Sequence, residues 1–90
     1  MRLVRKKFIS WLGENIGRQF SVRSSWCCPL AIYLIDQGHM YVVVSRSAWE
    51  SDKIIKKLPA WASNFVKWID KQGETGDIVN GDFCLKHFRK

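Results

Sequence analysis

The chain is poor in acidic side chains: 8 Asp and Glu stand against 15 Lys and Arg, leaving a net charge of +7. Such an excess draws anionic partners, namely nucleic acid, acidic protein surfaces or anionic membranes. Long apolar runs are also missing. None approaches the ~20 residues that span a bilayer, so no transmembrane segment is expected. Residues 9–12 are too short for the apolar core of a signal peptide, and no small-residue cleavage site follows them. A cytoplasmic protein is therefore expected. The 3 cysteines fit that expectation, because an odd count with Cys27 and Cys28 adjacent makes a poor disulfide framework. There is no CxxC or HxxxH pair, no HExxH, no Gly-rich phosphate loop and no nucleophile elbow. These absences argue against an enzyme and call for no cofactor. Repeats, low-complexity tracts and linkers are absent as well.

What is present reads as one small α+β domain over residues 1–90, with about four helices packed on a two- or three-stranded sheet. Residues 24–45 form its centre. Pro29 suits a first helical turn, and Leu30 to Ile35 are apolar on almost every side, as in a helix packed on several faces. Gly38 closes that helix in the left-handed conformation. Residues 40–44 then form an unbroken β-favouring run, the pattern of a strand covered on both faces.

On either side of this centre, residues 4–16 predict an amphipathic helix with Phe8, Leu12 and Ile16 on one stripe and Gly17 as its stop. Arg5, Lys6 and Lys7 fall in its first turn, where positive charge opposes the helix dipole. Residues 19–23 alternate like a short edge strand, with residues 41–44 as the expected partner. For residues 46–58 two readings compete. Ser47 and Glu50 fit a capping box that starts a helix. Alternatively residues 50–53 turn and 54–58 return as a strand, which the β-branched Ile54 and Ile55 favour. Pro59 opens a further helix, whose aromatic stripe Trp61, Phe65, Trp68 and Ile69 is expected in the core. Ile78 and Val79 are briefly extended, and Asn80 caps a short final helix.

Few residues suggest chemistry. Cys84 and His87 are three apart on a predicted helix and, with Cys27, Cys28 and His39, supply zinc-type ligands, but the spacing is wrong for a chelate and no metal is expected. Cys28, at a helix N-terminus, is placed where a thiolate is favoured. Ordinary buried cysteines are the plainer expectation.

The positive charge is uneven. Residues 1–23 carry Arg2, Arg5, Lys6, Lys7, Arg18 and Arg23 against Glu14 alone, and residues 86–90 add Lys86, Arg89 and Lys90, while the middle is almost neutral. The ends of small domains often lie close together, so these side chains are expected to form one patch. The 5 tryptophans are many for this length. Trp11, Trp26 and Trp49 lie off the expected core stripes, and exposed tryptophan beside arginine is typical of binding hot spots and of stacking on unpaired bases. The phrases CPLAIYL and LPAWASNFVKWID resemble stretches of small bacterial and phage proteins, which implies no particular activity. The expected function is thus a small non-enzymatic binding protein that engages nucleic acid or a nucleoprotein complex through its basic ends. The alternative is a protein–protein inhibitor or adaptor, for example a phage-type antagonist of a host defence complex, anchored by those tryptophans. No membrane partner is expected.

Overall fold

The computed structural model describes residues 3–22, 27–52, 54–72 and 78–89. Its elements follow the order α1 (Arg5–Glu14), β1 (Gln19–Ser21), α2 (Pro29–Asp36), β2 (Val43–Val44), β3 (Ala48–Ser51), β4 (Ile54–Lys57), α3 (Ala60–Gln72), β5 (Ile78–Asn80) and α4 (Gly81–Leu85). This is an α+β fold with two small antiparallel sheets, β1–β5 and β2–β3–β4.

Helix α1 buries Phe8, Trp11 and Leu12 on one face. Its first turn carries no acidic residue, and Val4 supplies no side-chain cap, so the basic start of the helix is uncompensated locally. The helix ends at Glu14, earlier than the apolar spacing predicts. The Asn15 side-chain amide turns back to donate to the Trp11 carbonyl at 2.7 Å. Ile16 therefore falls beyond the buried stripe and is 47% exposed.

Strand β1 pairs with β5, Phe20 opposite Val79, and not with residues 41–44 as the alternation suggested. The reason lies at Tyr41, whose backbone is left-handed (φ 55°) and whose side chain is 77% exposed. That residue breaks the expected run, so β2 is only Val43–Val44, and β2 takes β3 as partner across a short turn. Short local closure costs little chain entropy. The turn is held by Ser45, whose N–H donates to the Ala48 carbonyl and whose hydroxyl oxygen accepts from the Ala48 N–H, and by the Ser63 hydroxyl donating to the Arg46 carbonyl at 2.6 Å. The β3–β4 hairpin forms where it was favoured, and the Ser47/Glu50 helix does not. Asp52, at φ 52°, makes its turn.

Helix α2 starts as its sequence implies, with Pro29 in the first turn and the Cys28 thiol accepting from the Ala31 N–H at 3.4 Å. Leu30, Ala31, Tyr33 and Leu34 are buried, but Ile35 faces outward, so the helix is covered on one broad face only. Gly38, at φ 101°, ends it. Asn80 caps α4 through its side-chain oxygen, which accepts from the Phe83 N–H at 2.8 Å.

The buried side chains form one cluster, and Phe8 is its hub. The Phe8 ring lies within 5.2–6.0 Å (centroid to centroid) of Trp11, Tyr33, Trp61, Phe65 and Phe88. Gly81 allows a close approach between segments. Its N–H donates to the Arg18 carbonyl, and a Cβ there would overlap the Asn15 carbonyl. The start of α4 is thereby clasped against the turn that follows α1.

Candidate nucleic-acid interface

The tryptophans are distributed almost oppositely to expectation. Trp11 is 8% and Trp49 2% exposed, so neither presents a face for stacking. Trp61 and Trp68, expected in the core, are only half-buried. Helix geometry explains the second result. The buried set of α3 is Ala62, Phe65, Val66 and Ile69, which at about 100° per residue occupies one side of the helix. Trp61 and Trp68 sit together at its margin, and Asn64, Lys71 and Lys67 follow round the same side.

That margin faces a groove of about 460 Å³. Helix α3 supplies Trp61, Trp68, Lys67 and Lys71, with Asn64 between them. Arg5 and Phe88 form the opposite wall, beside His87. Arg5 comes from the start of α1 and Phe88 from the turn after α4, and the guanidinium lies 5.3 Å from the Phe88 ring centre. The two ends of the described chain thus meet here. Phe88 stacks on Phe65 at 5.4 Å, and Trp68 stacks on Phe83 at 5.4 Å with His87 at 5.1 Å, so the walls are fixed by ring packing. Among the described residues Arg5, Lys67 and Lys71 enter no ion pair, and no carboxylate lines the groove. The arrangement offers three cations and half-buried aromatic rings to a ligand with negative charge and flat, unpaired rings.

No protein-family model, curated protein or solved structure matches the chain. The residues themselves therefore carry the functional reading.

The other expected contacts divide by what the fold does with them. Lys6 and Lys7 are exposed on α1 outside the groove lining. Lys86 lies over Phe83, 5.3 Å from its ring centre, and Arg89 is 3.7 Å from Asp82. Arg18 is committed internally. It pairs with Asp36 at 2.7 Å and sits 5.7 Å from the Trp11 ring centre, while the Trp11 indole N–H donates to the same carboxylate at 3.0 Å. The Arg18 hydrogen bond holds the Asp36 carboxyl below its ordinary pKa, against the opposing effect of burial, and the Trp11 N–H adds to the lowering. Arg2, Arg23, Trp26 and Lys90 lie outside the described residues.

Burial disfavours chemistry at Cys28 and Cys84, whereas Cys27 is exposed. The Cys28 thiol is pushed up to about 11 and that of Cys84 to about 12, in both cases chiefly by desolvation, which outweighs the helix N-terminal N–H groups at Cys28. The histidines are held apart in function: His39 packs edge-on to Trp49 at 5.0 Å, and His87 packs against Phe65, Trp68 and Phe88. Among the described residues no three His, Cys, Asp or Glu side chains converge as a metal ion needs. No helix among them is long and apolar enough to cross a membrane.

The sequence reading missed the groove because it assigned the α3 aromatics to the core. The signal was there in the spacing. Lys67 and Lys71, four apart, fall on the same side as Trp61 and Trp68, seven apart, and a stripe interleaved with lysine is a poor core stripe.

Proposed function

We propose that this protein binds single-stranded nucleic acid in the groove between α1, α3 and the turn after α4. One observation carries the proposal: Arg5, Lys67 and Lys71 line one groove with the half-buried rings of Trp61, Trp68 and Phe88, and among the described residues no carboxylate lines it. Cations contact phosphate and act without regard to base sequence. Ring faces stack on bases, at about 1–3 kcal/mol per base. A duplex conceals its base faces, so the aromatic part of the groove selects an unpaired strand. The basic ends thus act through one of their members, Arg5, together with two lysines from the middle of the chain.

The test is a comparison of labelled oligo-dT with a duplex of equal length at ~50 mM salt, where phosphate contacts are strong. The single strand should bind more tightly. Trp68→Ala should weaken that binding by about 1–3 kcal/mol and leave the salt slope unchanged. No binding by the wild type, or equal binding by Trp68→Ala, contradicts the proposal.

The adaptor reading draws support from a different place. Strand β4 is an outer strand of its sheet, and Ile55 there is 72% exposed. Of the three tryptophans expected to anchor such a partner, Trp11 and Trp49 are buried and Trp26 lies outside the described residues. A protein partner on β4 would bind at ~1 M salt, where charges are screened within about 3 Å, and would be lost on Ile55→Asp.

A further inference from the structure

Beside the proposed groove lies a second cleft, of about 510 Å³. Its apolar side is lined by Leu3, Leu58, Pro59 and the largely buried Trp49, and its charged side by Lys56 and Lys57 of β4. Trp61 lines both clefts. The indole is therefore a shared wall, with Arg5, Lys67 and Lys71 on one side and Lys56 and Lys57 on the other.

Two features of the second cleft point to the same class of ligand as the first. Among the described residues no carboxylate lines it, and neither Lys56 nor Lys57 forms an ion pair. The hairpin register puts Lys56 directly opposite Trp49, which also lines the cleft, so this lysine borders the cleft's apolar side. A nucleotide strand needs phosphate contacts along the rim and apolar surface under its bases, and the cleft's lysines and apolar side offer both. Charge complementarity and the shared Trp61 together favour continuation of one strand.

We infer that the binding track does not end in the first groove: a single nucleic-acid strand passes over Trp61 into the second cleft, where Lys56 and Lys57 hold its phosphates. The inference rests on the proposed single-strand binding, and it adds a length requirement. A short oligomer fills only the first groove, and a longer one gains the second.

The test uses oligo-dT of about 4 and about 12 nucleotides, lengths within the range of single-strand site sizes, with the full chain and with Lys56→Ala/Lys57→Ala. For the wild type the longer oligomer should bind at least about tenfold more tightly, the worth of one further stacked base. The double variant should bind the short oligomer as the wild type does and lose most of that gain, with the salt slope for the longer oligomer lower by about 1.4. Equal loss at both lengths, or no loss at either, overturns the inference. So does an equal gain with inorganic polyphosphate of matching length, which has charge and no bases. Failure of the underlying proposal shows separately, as Lys67→Ala/Lys71→Ala binding the short oligomer as tightly as the wild type. A wild type that binds neither length overturns both.

Discussion

The molecule places an arginine over an aromatic ring in two regions and treats the two differently. Arg18 lies over Trp11, and Asp36 closes the arrangement by accepting from both the guanidinium and the indole N–H. Ring, cation and anion satisfy one another there. Arg5 lies over Phe88 at a similar distance, but among the described residues no carboxylate answers it, and Lys67 and Lys71 stand in the same groove. The ring contact is common to both regions. The missing acid is the difference on which the proposed binding of an outside anion rests. Net charge alone does not distinguish them, because each region's arginine counts equally toward +7.

Phe8 is the wall between the two regions, with Trp11 on one side and Trp61 and Phe88 on the other. Removing it breaks the comparison altogether. Phe8→Ala should destabilise the fold by about 3–5 kcal/mol and Leu34→Ala by about 2–5 kcal/mol, the range for emptying fully buried sites. Denaturant titration measures both. Gly81→Ala comes next. The added methyl meets the Asn15 carbonyl, in the turn that leads to Arg18, and overpacking of this kind costs about 1–3 kcal/mol.

Asp36→Asn opens the sealed region without emptying it. The loss should be small, about 0.2–1 kcal/mol, because the pair with Arg18 is part-exposed. Its pH dependence is the sharper readout. The folded-state pKa of Asp36 is depressed, so its contribution is fully present above the unfolded value of about 4. It is lost as pH falls through the lower folded value. Asp36→Asn should flatten the acid limb of stability in that window and leave neutral pH behaviour parallel to wild type. The smallest effect concerns the thiols. At pH 8, brief alkylation of the native protein should label exposed Cys27 and spare Cys28 and Cys84, whose thiols stay protonated and buried, while denaturant exposes all three. Mass spectrometry reads the pattern.

The fold was legible wherever a local rule decided it. Pro29 and Gly38 bracket α2, Asn80 caps α4, and Ile54–Ile55 favoured the hairpin. It was illegible where a residue departed from its neighbours' pattern for tertiary reasons. Tyr41 adopts a left-handed backbone inside a run of β-formers, and that one residue shortens β2 and leaves β1 to a partner far along the chain. The site was half legible. Charge distribution drew attention to Arg5, and the closeness of the two ends is realised in its contact with Phe88. Lys67 and Lys71 were passed over because they sit in a nearly neutral middle segment, where counting hides position. Trp11 was misjudged because an indole off the main stripe was treated as exposed, when its ring packs into the core and its N–H reaches the part-exposed Asp36 carboxylate.

The central claim is that free charge in the groove, and not charge as such, binds the partner. Paired salt titrations of single-stranded oligonucleotide binding test it most directly, with Arg5→Ala/Lys67→Ala/Lys71→Ala set against Arg18→Ala. The groove variant should lose affinity and about 2 units of the slope of log K against log salt, at about 0.7 per phosphate contact. Arg18→Ala should leave both unchanged. Equal slopes for the groove variant and wild type, or a slope that falls on Arg18→Ala instead, would contradict the account.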